Sequence, residues 1–295
     1  MGAPAAPLLQ ARAPAGERAR LRPRAPGRGG VFPAALVTGT SSGIGRAVAE
    51  RLRDRGWEVH ATVRAAGQAP EGTRELILDV TDAGSVAAAA ADIRELDALV
   101  DNAGVAVAGP LELLPPDELM RQLDVNVVGQ LRVTQALLPA LRRRRGRVVL
   151  IGSIGGRSAL PFLGAYAMSK FALEAMADAL RVELAPFGMH VAIVQPGTID
   201  TPIWSKPQRR VEDLPLEAAA LYGERLERFR RLAVARSRTR AAPVGIVADA
   251  VEHALTARRP RTRYVVGPDA KRRARVQRLP DRLRDRVLTR FLFGR

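Results

Sequence analysis

A tyrosine and a lysine, Tyr166 and Lys170, stand four residues apart in the stretch Ala-Tyr-Ala-Met-Ser-Lys. On a helix this step places both side chains on one face, so the lysine ammonium can lie beside the tyrosine phenol. A cation within a few ångströms lowers the pKa of a phenol from about 10 by roughly 1–3 units, which makes it a usable proton carrier. The pair predicts general acid/base chemistry, although the same spacing is also common on solvated helix faces.

Ser153 precedes this pair and follows a run of branched apolar residues at 148–151. Such a run predicts a buried strand, and open α/β sheets hold ligands at the carboxyl ends of their strands. The serine hydroxyl, the phenol and the ammonium could then converge on one carbonyl oxygen. Lys170 is also one of three lysines in a chain with 47 basic residues. A flat guanidinium cannot replace a compact ammonium, which favours a specific role for this lysine.

Short apolar segments alternate with helical patterns from Pro33 onward. Strands are predicted at 34–38, 57–63, 75–79, 98–101, 148–151, 191–194 and 264–266. Helices are predicted at 45–55, 85–94, 117–141, 166–186 and 270–290. Continuous apolar strands interleaved with helices predict a single α/β domain, a doubly wound Rossmann-type parallel sheet of about seven strands with helices on both faces.

Composition divides the chain into three parts. Residues 1–30 are rich in Ala, Pro, Arg and Gly, which predicts a disordered extension or a start codon assigned too early. An organelle transit peptide is disfavoured because prolines oppose its amphipathic helix. Residues 31–268 are predicted to form the catalytic domain. Residues 269–295 are predicted as a basic amphipathic helical segment, which could contact an anionic membrane or dock on the body or on a second subunit.

The formal charge of +17 lies mostly at the two ends of the chain. Residues 1–30 carry six arginines against one glutamate, and residues 258–295 carry fourteen basic against three acidic residues. The body is therefore nearly neutral, and without an aromatic-basic platform a nucleic-acid partner is not expected. Zero cysteines and three scattered histidines argue against disulfides and a metal centre. Because no apolar run reaches the ~20 residues of a membrane span, we expect a cytoplasmic protein.

A glycine-rich segment, Thr38-Gly-Thr-Ser-Ser-Gly-Ile-Gly45, joins the first predicted strand to the first helix. Glycines let the backbone approach a pyrophosphate closely, and the amides at a helix N-terminus favour its charge. The spacing is not G-x-G-x-x-G, so its position after strand one has to support the assignment. At the end of strand two, Arg64 stands near the place where NAD-binding domains carry an acid. Arg64 therefore predicts NADP(H), with NAD(H) as the alternative.

Further motifs follow in order along the chain. They are Thr38-Gly-x-x-x-Gly-Ile-Gly45, Asp101-Asn-Ala-Gly104, Asn126, Ser153, Tyr166-x-x-x-Lys170 and Pro196-Gly197. With these motifs the chain resembles the short-chain dehydrogenase/reductases over about residues 33–267. Three segments, 59–64, 123–129 and 171–174, are similar to the branch that holds 17-beta-hydroxysteroid and retinol dehydrogenases. Asp101 departs from the asparagine or other small polar residue more usual there, and we expect little effect because the following Asn-Ala-Gly is intact.

The resemblance implies a role for each motif. Tyr166 would be the general acid/base, Lys170 would lower its pKa and hold the nicotinamide ribose, and Ser153 would steady the substrate oxygen. Asn126 would position a proton-relay water. The cofactor contacts predicted from the loop, from Arg64 and from the resemblance together are Gly39, Ser41, Ser42, Gly43, Ile44, Gly45, Arg64, Asp79, Val80, Asn102, Ala103, Gly104, Tyr166, Lys170, Pro196, Gly197, Thr198 and Thr201. Simpler structural roles stay open for Asn126, Asp79 and Thr201 as a helix-bending residue, a turn former and a cap.

The family resemblance places a substrate lid at residues 202–240. Apolar residues there and before the catalytic helix predict a pocket for a hydrophobic alcohol or carbonyl compound, or else simply pack the lid down. The predicted substrate contacts are Leu160, Phe162, Trp204 and Tyr222. The sequence thus predicts an NADP(H)-dependent oxidoreductase acting between alcohol and ketone or aldehyde on a steroid-, retinoid- or lipid-like substrate. A non-catalytic dinucleotide sensor on the same fold is the alternative, and a homo-oligomer is expected by analogy.

Overall fold

The computed structural model describes residues 33–204 and 215–294. Its strands are β1 Ala34–Val37, β2 Glu58–Val63, β3 Arg74–Ile77, β4 Ala98–Asp101, β5 Arg147–Ile151, β6 His190–Pro196 and β7 Arg263–Val266. They form one parallel sheet in the order β3-β2-β1-β4-β5-β6-β7. The strand order reverses between β1 and β4, which is where doubly wound sheets bind nucleotides. The predicted seven-stranded α/β fold is confirmed.

Helices cover both faces of this sheet. They are α1 Gly43–Asp54, α2 Ala83–Ala91, α3 Pro116–Leu123, α4 Gly129–Arg144, α5 Gly164–Leu184, α6 Leu216–Arg240, α7 Gly245–Thr256, α8 Pro268–Val276 and α9 Asp281–Phe293. The long helix predicted at 117–141 is divided by a π-helical segment, Asp124–Val128. The helix predicted at 270–290 is wrong as one element, because Pro280 lacks an amide donor and separates α8 from α9.

Alternating side chains of each strand pack into two core layers. On β5, for example, Val149 and Ile151 pack in the layer that also holds residues of α1 and α7. Val148 and Leu150 face the opposite layer, with residues of α2, α4 and α5. Burial on both faces explains why the strands are continuously apolar rather than alternating. The polar motifs follow the carboxyl ends of these buried strands.

A third, smaller apolar cluster lies over the sheet edge and includes part of the predicted lid. Phe162 packs there with Leu226 and Phe229 of α6, and its ring centroid lies 6.3 Å from that of Phe293 on α9. The basic C-terminal segment thus docks on the body of the chain, one of the two arrangements predicted for it. No described helix is both long and apolar enough to cross a membrane. The predicted extension at 1–30 lies outside the described residues.

Candidate active site

Three predicted catalytic side chains meet beyond the carboxyl end of β5. Ser153 follows β5, and its Oγ accepts a hydrogen bond from Gly155 N at 2.9 Å. The hydroxyls of Ser153 and Tyr166 share a hydrogen bond. Lys170 lies one turn further along α5, with its Nζ 5.7 Å from the centroid of the Tyr166 ring. The four-residue step on α5 therefore brings phenol, ammonium and serine hydroxyl to one place.

Burial dominates the electrostatics of this cluster. Burial raises the pKa of Tyr166, while the hydrogen bond from Ser153 and the positive charge of Arg273 lower it. Lys170 is buried, its Nζ donates to Ile151 O at 2.9 Å, and burial lowers the pKa of its ammonium to about 8. Burial outweighs the effects that lower the pKa of Tyr166, and one of those effects comes from Arg273 on α8, a cation that sequence analysis did not assign to this site. No sequence pattern distinguishes this arginine from the others.

Asn126 lies in the π-helical segment and is fully buried. Its Oδ1 accepts from Val105 N at 2.8 Å, and its Nδ2 donates to Val105 O at 2.9 Å and to Ser169 Oγ at 3.0 Å. Both amide hydrogens are thus used within the protein. The side chain ties the segment after β4 to α5. Any water near Asn126 would therefore have to bind its backbone or the remaining lone pair of its side-chain oxygen.

Two buried glutamines hold the same segment after β4. Gln122 Oε1 accepts from Val107 N at 2.6 Å, and Gln130 Nε2 donates to Ala103 O at 3.0 Å. Sequence analysis missed both residues. The available signal was a pair of glutamines within the helix predicted at 117–141. An amide that such a helix buries needs a hydrogen-bond partner.

The glycine-rich turn has the backbone conformations that its glycines permit. Gly39 and Gly43 have φ angles of +69° and +58°, a region that favours glycine. A Cβ at Gly45 would stand 2.3 Å from Gly39 O and 2.4 Å from Asn102 Nδ2. The turn is therefore closed against the loop after β4, and the start of α1 presents its amides at the sheet switch point. This shape fits a pyrophosphate.

Thr38 and Asn102 join the first and fourth strands at the switch point. Thr38 Oγ1 accepts from the backbone N of Asn102 at 2.8 Å and of Ala103 at 2.9 Å. Asn102 Nδ2 donates to the carbonyls of Thr38 at 2.9 Å and Gly39 at 3.1 Å. Asn102 thus acts on the backbone of the glycine-rich turn. Ala103 and Gly104 follow it, half-buried, beside Asn126.

The end of β2 and the start of α1 leave an exposed polar surface. Arg64, Ser41 and Ser42 are all exposed there. Asp79 accepts from Thr81 N at 2.9 Å and Thr81 Oγ1 at 2.7 Å. These bonds lower the pKa of Asp79, and the charge of Arg64 lowers it further. Arg64 and the two serines could together bind a phosphate. Ile44 and Val80 are instead packed against the core.

The loop after β6 faces the glycine-rich turn. Pro196 ends β6, and Gly197 N donates to Val266 O at 2.9 Å. A Cβ at Gly43 would stand 3.4 Å from the Thr201 side chain, so the two loops border one groove. Thr198 is held by Asp269 of α8, a residue that sequence analysis missed.

Three of the four predicted substrate residues lie together in one apolar cluster. Leu160, Phe162 and Tyr222 all belong to the lid cluster. Phe162 is buried, with its ring centroid 5.5 Å from that of Phe229, and the Tyr222 hydroxyl is hydrogen-bonded to Glu112. Their packing in this cluster is compatible with either role predicted for them, substrate contact or packing of the predicted lid. The side chain of Trp204 lies outside the described residues.

Asp101 is fully buried at the end of β4. Its Oδ2 accepts from Thr134 Oγ1 at 2.7 Å. Burial raises the pKa of this carboxyl to about 7, although the hydrogen bond from Thr134 opposes the rise. The expectation of little effect on the neighbouring Asn102 stays a prediction, but the exchange for aspartate has introduced a titratable group into the core.

The parallel sheet, the glycine-rich turn at its switch point and the tyrosine–lysine–serine cluster define an oxidoreductase of the nucleotide-binding class. A family profile described as short chain dehydrogenase matches residues 33–212. The chain is also 39% identical to retinol dehydrogenase 16 of Homo sapiens over an alignment of 257 residues that covers 80% of this chain and 81% of that protein. The chain belongs to the short-chain dehydrogenase/reductase family.

Two further similarities support the predicted branch and cofactor class. The chain is 43% identical to 17-beta-hydroxysteroid dehydrogenase type 1 of Homo sapiens over 190 residues, covering 58% of each chain. A short chain dehydrogenase from Burkholderia cenocepacia J2315, solved in complex with NADP, superposes with a TM-score of 0.70 at 28% identity, covering 89% of this chain and 98% of that one. The predicted family and its retinol and steroid dehydrogenase relatives are confirmed.

Proposed function

We propose that this enzyme is an NADP(H)-dependent oxidoreductase that interconverts an alcohol and a ketone or aldehyde on a hydrophobic substrate. The observation that carries the proposal is the meeting of Ser153, Tyr166 and Lys170 beyond β5, next to a turn shaped for a pyrophosphate. A non-catalytic sensor of dinucleotides would have no use for a hydrogen-bonded serine–tyrosine pair beside a buried ammonium. The complete set favours catalysis.

The chain's own residues then handle the proton. When bound, the nicotinamide cofactor supplies or accepts the hydride. The Tyr166 hydroxyl gives a proton to the carbonyl oxygen during reduction and takes one from the alcohol during oxidation. Ser153, already hydrogen-bonded to Tyr166, orients the same substrate oxygen. Lys170 would hold the nicotinamide ribose through the ammonium that now donates to Ile151 O.

The preference for NADP(H) rests on charge at the end of β2. Arg64 is exposed there, close enough for its charge to lower the pKa of Asp79. A guanidinium binds a 2′-phosphate bidentately. The exposed Ser41 and Ser42 hydroxyls at the start of α1 could supply further donors, and NADP is the cofactor bound in the Burkholderia relative.

The proposed substrate class rests on the apolar lid and on the relatives. Leu226, Phe229 and Phe162 form an apolar cluster under α6, and apolar surroundings with few polar groups suit hydrophobic ligands. The names of the relatives, a retinol dehydrogenase and a 17-beta-hydroxysteroid dehydrogenase, indicate retinoid, steroid or similar lipid-like alcohols and carbonyls as the first compounds to test.

Initial rates of NADPH and NADH consumption by the purified full chain over short aliphatic, retinoid and steroid carbonyls test the proposal. We expect turnover with NADPH concentrated on a bulky apolar class. Tyr166→Phe should lose at least about 10²-fold in kcat while retaining NADPH binding, because positioned proton transfer contributes about 10²–10⁴-fold.

Tyr264→Phe is the matched control for this substitution. Tyr264 is buried on β7, and its hydroxyl lies 2.9 Å from His253 Nδ1 and accepts from Arg261 N at 3.0 Å, so its loss should reduce stability without changing the rate. An active Tyr166→Phe enzyme would remove Tyr166 from its role. NADPH binding without turnover of any substrate by the wild type would favour the sensor.

Two surfaces are proposed for partners. On α5, Met168 and Phe171 are 42% and 44% exposed, which suits a contact between copies of a homo-oligomer. On α9, Leu283 and Val287 are 46% and 40% exposed among arginines, which suits peripheral contact of a cytoplasmic protein with an anionic membrane. Light scattering of a Phe171→Glu variant tests the first surface. Flotation with anionic liposomes, with and without residues 268–295, tests the second.

A further inference from the structure

Asp269, in the first turn of α8, fixes the backbone after β6. Its Oδ2 accepts from Thr198 N at 2.7 Å and from Thr198 Oγ1 at 2.8 Å. A Cβ at Gly197 would stand 2.1 Å from Asp269 Oδ1. The carboxylate therefore lies directly against the Gly197–Thr198 turn, so tightly that only glycine fits at residue 197.

Arg273 stands one helical turn beyond Asp269. Its guanidinium donates to the backbone oxygen of Ser158, and Ser158 is buried in the segment between Ser153 and the start of α5. The charge of Arg273 also reaches Tyr166, where it lowers the pKa of the phenol. The segment between Ser153 and α5 is thus tied to the same helix, α8.

A four-residue step places Asp269 and Arg273 on one face of α8. The helix therefore joins two loops that come from different strands, the turn after β6 and the segment after β5. The turn after β6 is bonded to β7 through Gly197 N and Val266 O at 2.9 Å, but Thr198 and the segment around Ser158 lie beyond the strands. Asp269 and Arg273 hold these two places from one face of α8.

We propose that α8 is a positioning element of the active site, in which Asp269 shapes the Gly197–Thr198 turn for the nicotinamide and Arg273 sets the segment that carries Ser153 against Tyr166. This rests on the proposed function, because it assigns the turn after β6 to the nicotinamide side. Both are positioning residues, since they act through Thr198 and Ser158 rather than on the substrate. A small misplacement of a reacting group can cost about 10²-fold in rate.

The first test substitutes Asp269 in the full-length enzyme. Asp269→Ala removes the acceptor of both Thr198 hydrogen bonds, and we expect kcat/KM for NADPH to fall about 10- to 100-fold. NADPH deuterated on one face of C4 should show loss of single-face hydride transfer, a readout that a stability defect alone does not move. Asp269→Asn should recover part of the loss, since an amide oxygen can still accept from Thr198.

Asp97 provides the matched control. Its Oδ2 accepts from Ala34 N at 3.0 Å, and it is likewise half-buried, but it precedes β4 at the opposite edge of the sheet. Asp97→Ala should lower the melting temperature without changing kcat/KM or facial selectivity. If Asp269→Ala does not fold, Thr198→Val removes only the hydroxyl bond and tests the same turn.

The second test separates the charge of Arg273 from its packing. Arg273→Met should move the pH at which Tyr166 titrates in the profile of kcat/KM to a higher value, and Arg273→Lys should restore much of the shift. The groups that face this phenol are the Lys170 ammonium from α5, 5.7 Å from the ring centroid, the Ser153 hydroxyl from beyond β5, and Arg273 from α8. Both Arg273 variants keep the Lys170 ammonium and the Ser153 hydroxyl.

The outcomes distinguish this inference from the proposed function. A wild-type chain that turns over NADPH, with Asp269 variants matching Asp97→Ala and an unshifted Arg273→Met profile, overturns the inference alone. A wild type that binds NADPH without turnover overturns the proposed function. The inference is then judged on the NADPH Kd of the Asp269 and Asp97 variants by fluorescence titration, where equal Kd values overturn it as well.

Discussion

Replacing Asp101 by asparagine should stabilise the protein at alkaline pH and not at acidic pH. Asp101 is 0% exposed, and burial raises the pKa of its carboxyl from 3.8 to about 7. At about 1.4 kcal/mol per pKa unit, ionising this group costs roughly 4 kcal/mol more in the folded protein than in the unfolded chain. Asparagine cannot ionise, so the variant avoids that cost.

The sign follows from proton binding in the two states. Between pH 4 and pH 7 the folded protein keeps a proton on Asp101 that the unfolded chain releases, so stability falls as the pH rises through this window. From pH 5 to pH 8 the wild type should lose about 2–3 kcal/mol through this group. Asp101 Oδ1 has no hydrogen-bond partner among the described residues, so an asparagine NH2 placed there would cost about 1–3 kcal/mol at either pH.

Urea unfolding monitored by circular dichroism measures the unfolding free energies of wild type and variant at pH 5 and pH 8. We expect Asp101→Asn to be about 1–3 kcal/mol more stable than wild type at pH 8, and equal or less stable at pH 5. Asp97→Asn is the matched control, because it makes the same exchange before the same strand at a half-buried position. For each variant, the difference in unfolding free energy from wild type is compared at pH 5 and pH 8. If this difference changes with pH no more for Asp101→Asn than for Asp97→Asn, the argument is refuted.

Three further predictions test the cofactor groove and the lid. Gly45→Ala should abolish NADPH binding in a fluorescence titration, because its Cβ would stand 2.3 Å from the carbonyl oxygen of Gly39. The control variant Gly245→Ala should bind NADPH normally, because no atom lies within 4 Å of the added Cβ. Arg64→Leu should raise KM for NADPH by about 10-fold or more and leave KM for NADH unchanged; the same result with exposed Arg94→Leu would contradict this. Phe162→Ala should cost about 3–5 kcal/mol in urea unfolding because its ring is buried in the lid cluster.

Local pattern was enough to predict much of this fold and site. Continuous apolar runs gave the strands because a sheet covered on both faces needs no alternation. The pair Tyr166 and Lys170 could be predicted to act together because helix geometry alone fixes their proximity. Ser153 could be placed beside them because parallel strands end at one edge of the sheet. Each of these inferences uses only residues close in sequence or one general rule of sheets.

The contacts that sequence analysis missed are those between distant segments. Asp269 meets Thr198 across 71 residues, and no spacing rule connects the start of α8 with the turn after β6. The π-helical segment around Asn126 has no residue signature of its own, since tertiary hydrogen bonds to Val105 and Ser169 hold it. Pro280 was visible, but the helical pattern on both sides of it suggested one continuous element.

Arg273, the cation that sequence analysis missed, also bears on the acid/base role proposed for Tyr166. Burial lowers the pKa of Lys170 to about 8, so above that pH its ammonium increasingly loses its charge. The guanidinium of Arg273 stays protonated throughout this range, and its charge lowers the pKa of Tyr166. Near neutral pH two charged groups therefore lie near the phenol, whereas at alkaline pH Arg273 keeps its charge and Lys170 loses it. The rate deficit of Arg273→Met relative to Arg273→Lys in alcohol oxidation should consequently widen as the pH rises past 8, and a deficit that stays constant from pH 7 to pH 9 would contradict this division of roles.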